Sequence, residues 1–125
     1  MPSKRLLLVE DNAPLRELVC EVLRDDGFEV VTAGDGAEAL DLLRRGDAFD
    51  VVVLDDEMPR LTGRQLLSLL RAEGCQMPVV LVSGSLELSR EDCARLDVGP
   101  VVRKPLLLPQ LADAIRMALG SHRQR

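Results

Sequence analysis

The stretch Val51–Gly63, VVVLDDEMPRLTG, decides the fold class. Aliphatic residues run uninterrupted from Val51 to Leu54 and stop at three consecutive acids, Asp55, Asp56 and Glu57. A strand with one wet face alternates apolar and polar residues. A continuous run is what a strand covered on both faces looks like. Pro59 and Gly63 then punctuate the chain before a helical pattern over Thr62–Gly74. Adjacent carboxylates repel one another, so the end of a buried strand is a costly place to gather them unless something there uses them.

Outward from this stretch the same alternation recurs. Arg5–Val9 is a short apolar run. It is followed by a helical pattern with Pro14 in its first turn and Leu15, Leu18, Val19, Val22 and Leu23 on one face, which Gly27 stops. Phe28–Ala33 reads as a strand and Gly36–Gly46 as a helix with Ala39, Leu40 and Leu43 inward. After the strand Asp50–Leu54 and the helix Thr62–Gly74 come a strand over Met77–Gly84 and a short, weakly patterned helix over Ser89–Leu96. A strand over Val101–Pro105 and a last helix over Leu106–Leu119 complete the pattern. Repeated β/α alternation with doubly covered strands predicts an α/β fold, a doubly wound parallel sheet with helices on both faces. One domain is expected over residues 4–119, with 120–125, GSHRQR, as a flexible tail.

Composition narrows the function classes. The chain has 125 residues, 46% hydrophobic and 30% charged, which suits one globular domain with a real core. Aromatics are only 2%, so the core is aliphatic and no base-stacking platform is available. A formal net charge of −5 disfavours nonspecific nucleic-acid binding by the domain. Cys20, Cys75 and Cys93 are widely spaced and His122 is the only histidine, which argues against zinc and for free thiols in a reducing cytoplasm. The N-terminal apolar run is too short for a signal peptide or a membrane span.

In a parallel doubly wound sheet, functional groups gather beyond the carboxyl ends of the strands. Glu10 and Asp11 follow the first strand, and Asp55, Asp56 and Glu57 the third. Ser83 and Gly84 follow the fourth, and Lys104 the fifth. Singly, each has a bland reading: Asp11 or Asn12 as a helix cap, Ser83 as a turn residue, Lys104 as a loop residue. Their convergence on one sheet edge favours a site. Oxygen-only ligands point to Mg²⁺, with Mn²⁺ as the alternative. A lysine and a hydroxyl beside such a metal suggest a phosphoryl group, with one carboxylate as a nucleophile toward phosphorus.

The motifs LLLVEDN, DVVVLDDEMPRLTG, VVLVSG and VVRKP, in this order and spacing, strongly resemble the receiver domain of bacterial response regulators over about Lys4–Leu119. The resemblance implies a flavodoxin-like five-stranded sheet of order 2-1-3-4-5. It implies a two-component signalling role, in which Asp55, four residues before Pro59, accepts a phosphoryl group from a histidine kinase or phosphotransfer protein. Glu10 and Asp11 match the metal-holding acidic pair, and the backbone carbonyl of Glu57 a further ligand beside Asp55. Ser83 matches the hydroxyl that bonds the phosphoryl group, and Lys104 the lysine that pairs with its charge. Gly84 matches a position kept small. The surface of the fourth helix, fifth strand and fifth helix would switch and be read by a downstream protein. The domain would be cytoplasmic, with no direct contact to nucleic acid or membrane, and a monomer able to dimerise on activation.

The sequence also departs from the family pattern. Val101 stands where a switching aromatic is usual, Leu106 follows Lys104-Pro105 where Phe is common, and the stretch from Ser83 to Val101 is about one residue short. Glu57 and Ser85 are expected to tune the life of the phosphorylated state. The main alternative is a docking module of the same fold that signals without phosphorylation, which Val101 favours and the full set of site residues opposes. A phosphohydrolase of the haloacid dehalogenase type would need a second aspartate where Glu57 stands. A flavodoxin would need a phosphate-cradling loop in place of EDNAP. The expectation is therefore a signalling domain rather than an enzyme.

Overall fold

The computed structural model describes residues 4–84 and 90–123. Five strands and five helices alternate: β1 (Arg5–Val9), α1 (Ala13–Asp25), β2 (Glu29–Ala33), α2 (Gly36–Arg44), β3 (Val51–Asp55), α3 (Gly63–Ala72), β4 (Val79–Ser83), α4 (Arg90–Leu96), β5 (Val101–Arg103) and α5 (Leu108–Arg123). The strands form one parallel sheet in the order β2-β1-β3-β4-β5. This is the doubly wound sheet expected from the alternation, in the flavodoxin-like order that the resemblance implies.

The pleat divides each apolar strand between two cores. Leu6, Leu8, Val51, Val53, Val80 and Val82 face α1 and α5, meeting Val19, Leu23, Leu111 and Ile115. Leu7, Val9, Val52, Leu54, Val79 and Leu81 face the other way, meeting Leu43, Leu66, Leu67, Leu70 and Leu96 from α2, α3 and α4. That is why the runs do not alternate: both faces of the central strands are dry. All residues of β3 and β4 are buried. Cys20 is in the core, and all three cysteines are free.

Local chemistry sets the helix starts. Asn12 caps α1, its side chain accepting from Leu15 N at 3.0 Å, and Pro14 sits in the first turn. Thr62 and Gln65 form a reciprocal capping box at the start of α3. Gly27 ends the α1 segment at φ +99°, which only glycine adopts without strain.

Most boundaries lie within a residue or two of expectation, but α5 does not. It begins at Leu108, not Leu106, with Pro109 in the first turn where its missing N–H costs least. It ends at Arg123, not Leu119, because Gly120 continues the helix instead of reversing it. The segment read as a tail is thus helical from Gly120 to Arg123. Helix α4 starts at Arg90, and Ser85 and Ser89 lie outside the described residues.

Candidate functional site

Three sheet ends supply the site. Glu10 follows β1, Asp55 is the last residue of β3, and Lys104 follows β5. Glu10, Asp11 and Asp55 each offer a carboxylate oxygen, and the three oxygens lie within 4.8 Å of one another. Asp55 and Glu10 are buried and Asp11 is exposed, so the cluster opens to solvent on the Asp11 side. Lys104 Nζ lies 2.9 Å from Asp55 Oδ1. The Glu57 N–H donates to the same oxygen at 3.1 Å.

The electrostatics follow from burial. Glu10 is pushed up to about 7 by loss of water, with repulsion from Asp55 and proton sharing with Asp11 and Asp55 adding to it; the Asn12 N–H, 3.1 Å away, pulls the other way. Burial pulls Lys104 down, but the hydrogen bond and charge of Asp55, with the charges of Glu57 and Glu10, outweigh it and raise it. The acids therefore share too little positive charge, and one of them holds its proton near neutrality. That is the behaviour expected of a carboxylate cage suited to a hard cation.

The other two acids of the motif have different work. Asp56, 3% exposed, is held by Arg64 from the first turn of α3: Nε lies 3.0 Å and Nη2 2.9 Å from Oδ2, and the Arg64 N–H donates to Oδ1 at 3.1 Å. The Ser83 hydroxyl donates to the same Oδ2 at 3.2 Å. Glu57 turns back across the edge, accepting from the Gly84 N–H at 2.6 Å and lying 3.6 Å from Lys104 Nζ.

The structure thus brings Glu10, Asp11, Asp55 and Lys104 together and sets Glu57 and Gly84 at the rim. Ser83 is fully buried, and its hydroxyl is turned to Asp56. Val101 lies at the other end of β5 from Lys104, paired with Leu81 and packed on the α2–α4 side. Ser85 lies outside the described residues. Sequence reasoning missed Arg64. The only signal for it was an arginine just inside a helix, eight residues after an acid that follows a buried strand.

The model of the response regulator receiver domain matches residues 6–116. The chain belongs to that family. It is 38% identical over 117 residues to the response regulator MprA of Mycolicibacterium vanbaalenii, covering 92% of this chain and 50% of the relative. MprA of Mycobacterium leprae is 37% identical over 117 residues, with the same shares. The chain therefore spans about half the length of these relatives. Among solved structures, a Francisella receiver domain superposes with a TM-score of 0.86 at 25% identity, covering 96% of this chain and 99% of that one. TrrA of Thermotoga maritima, solved in complex with Mg²⁺ and BeF, superposes at 0.80 with 29% identity, covering 93% and 99%. As a receiver domain the chain is a signalling module of bacterial two-component systems. No helix among its described residues is long and apolar enough to cross a membrane.

Proposed function

We propose that this receiver is a Mg²⁺-dependent phosphoacceptor, modified on Asp55 by a histidine kinase or a phosphotransfer protein. The observation that carries the reading is the setting of Asp55. It is a buried carboxylate grouped with two further acids and with Lys104 at 2.9 Å. The donors are all oxygens, which suits Mg²⁺ or Mn²⁺. Glu10, Asp11, Asp55 and the Glu57 carbonyl would hold the ion, which when bound neutralises the acids and the incoming phosphoryl oxygens.

The rest is the work of the chain's own groups. The Asp55 carboxylate attacks phosphorus. A P–O bond forms as the P–N bond of the donor phosphohistidine breaks, and the imidazole nitrogen keeps the electron pair and takes up a proton. Lys104 pairs with the new charge, and the Ser83 hydroxyl donates to it. Gly84, with no side chain, leaves the approach open. Phosphorylation adds roughly one further negative charge to the edge, by analogy with other phosphoresidues. Movement of the Ser83 and Lys104 loops then biases the surface of α4, β5 and α5, which a downstream protein reads in the cytoplasm. Hydrolysis of the acyl phosphate resets the switch. Val101 has no ring to follow that movement, so transmission relies on the loops themselves.

The test is phosphoacceptance. Incubation with Mg²⁺ and acetyl phosphate is expected to add one phosphoryl mass, and Asp55→Asn to abolish it. No addition to the wild-type chain, or equal addition to the variant, overturns the assignment.

A further inference from the structure

Asp56 is a buried carboxylate that touches two elements at once. Its Oδ2 accepts from Arg64 on α3 and from Ser83 at the end of β4, and the Asp56 N–H donates to Val82 O at 2.9 Å. The pleat explains the geometry. Val79, Leu81 and Ser83 share one face of β4, the face toward α3. Asp56 continues the series Val52 and Leu54 onto that same face, whereas Asp55 continues Val51 and Val53 onto the other. The Ser83 hydroxyl is therefore held on the α3 side of the sheet by a charged acceptor, across the strand from the carboxylate that we assign as the phosphoacceptor.

Resting on that assignment, we propose that Asp56 is a positioning residue. With Arg64 it holds the Ser83 hydroxyl off the acceptor site, and an anion seated on Asp55 must draw the hydroxyl away from it. A donor cannot serve two anions on opposite faces, so the hydrogen bond to Asp56 competes directly with one to the phosphoryl group. The pair also links the site to α3. When Ser83 leaves, Asp56 keeps Arg64 as its counter-charge, and the Arg64 guanidinium takes a larger share of a carboxylate that has lost a donor. The signal reaches the first turn of α3 through a side-chain contact that Val101 plays no part in.

The test is a double-mutant cycle on the 125-residue chain. Beryllofluoride, a phosphoryl analogue, is titrated at saturating Mg²⁺ into wild type, Asp56→Leu, Asp56→Asn, Ser83→Ala and the two double variants. Thermal melts check that each chain is folded. Asp56→Leu removes the acceptor and is expected to tighten binding about tenfold; Asp56→Asn keeps an uncharged acceptor and should gain about fivefold. In the Ser83→Ala background both gains should vanish. In nitrogen-15 spectra, beryllofluoride should shift the Arg64 Nε–H of wild type and leave it in place in Ser83→Ala. Gains that persist without Ser83 would make Asp56 a matter of bulk charge only, and overturn the proposal. So would the absence of any gain in wild-type background, or an Arg64 signal indifferent to Ser83. No binding by wild type would overturn the phosphoacceptor assignment itself, and the proposal with it; binding without coupling overturns the proposal alone.

Discussion

The Glu57 carboxylate accepts a 2.6 Å hydrogen bond from the backbone N–H of Gly84, twenty-seven residues along the chain, at the rim of the Asp55 site. Its other oxygen lies 3.6 Å from Lys104 Nζ. A resident anion thus occupies donors that border Asp55, where a phosphoryl group would arrive. Glu57→Ala frees the Gly84 N–H and removes one of the acids that compete for Lys104. The expected result is beryllofluoride binding about tenfold tighter at saturating Mg²⁺, from one charged hydrogen bond and one like charge removed. Calorimetric titration of both chains measures it. Weaker binding in the variant would assign Glu57 to holding the cation instead.

Glu10 makes stability depend on pH. Its folded value of about 7 lies above its ordinary value of 4.5, mainly through burial. The folded state therefore binds a proton that the unfolded chain has released. The stabilisation is complete below about pH 4.5 and is lost as pH rises through about 7. At about 1.4 kcal/mol per tenfold change, that interval corresponds to at most about 3.5 kcal/mol. In chelator, urea unfolding at pH 5 and pH 8 is expected to show lower stability at pH 8, and Glu10→Gln to remove most of the difference. An unchanged difference in Glu10→Gln would place the titration elsewhere.

How much of this was legible in the sequence follows the range of the interactions. The continuous runs Val51–Leu54 and Val79–Val82 announce a sheet buried on both faces, and the structure buries them. Topology then carries Glu10, Asp11, Asp55 and Lys104 to one edge, because every strand of a parallel sheet ends on the same side. What the pattern did not reveal is how three neighbouring acids divide their partners. Asp55, Asp56 and Glu57 look alike on paper. The pleat sends Asp56 to Arg64 and Ser83, and the turn after β3 sends Glu57 to Gly84. Those partners are eight to twenty-seven residues away and come from other elements. The end of α5 was missed for a different reason. Gly120 ordinarily stops a helix by turning left-handed, and here it stays in the helix.

Gly63 fixes how closely α3 approaches the acidic edge. A Cβ there would lie 2.6 Å from Asp55 O and 2.8 Å from Asp56 Cα, both backbone atoms that cannot swing aside. The Gly63 N–H also donates to Asp56 O at 3.1 Å. Gly63→Ala is expected to destabilise the fold by about 2–3 kcal/mol, as overpacking of a rigid site does. The helix would be pushed from the strand end that carries Asp55, so beryllofluoride binding should weaken as well. Denaturant midpoints and the titration used for Glu57→Ala check both. A variant of wild-type stability would show that the β3–α3 turn shifts freely.

Arg71 ties α4 to the body of the domain. From α3 its guanidinium donates to four carbonyls: Leu96 at 2.7 Å, the last residue of α4, Asp97 at 3.0 Å just after it, and Cys75 at 2.8 Å and Met77 at 3.1 Å before β4. The described part of α4, Arg90–Leu96, is about two turns long, and isolated helices of that length are marginal without tertiary contacts. Its C-terminal end is fastened by this side chain, by Leu96 in the core, and by the Val98 N–H on Cys93 O at 2.9 Å. Arg71→Met keeps a long unbranched side chain and loses the charged donors, which is expected to cost about 2 kcal/mol in urea unfolding. The loss should be uneven. Amide exchange at Val98 should quicken more than that of the β3 and β4 amides, because only the former depends on the fastened end of α4. Uniform acceleration across the sheet would instead make Arg71 a general stabiliser, with no particular hold on α4.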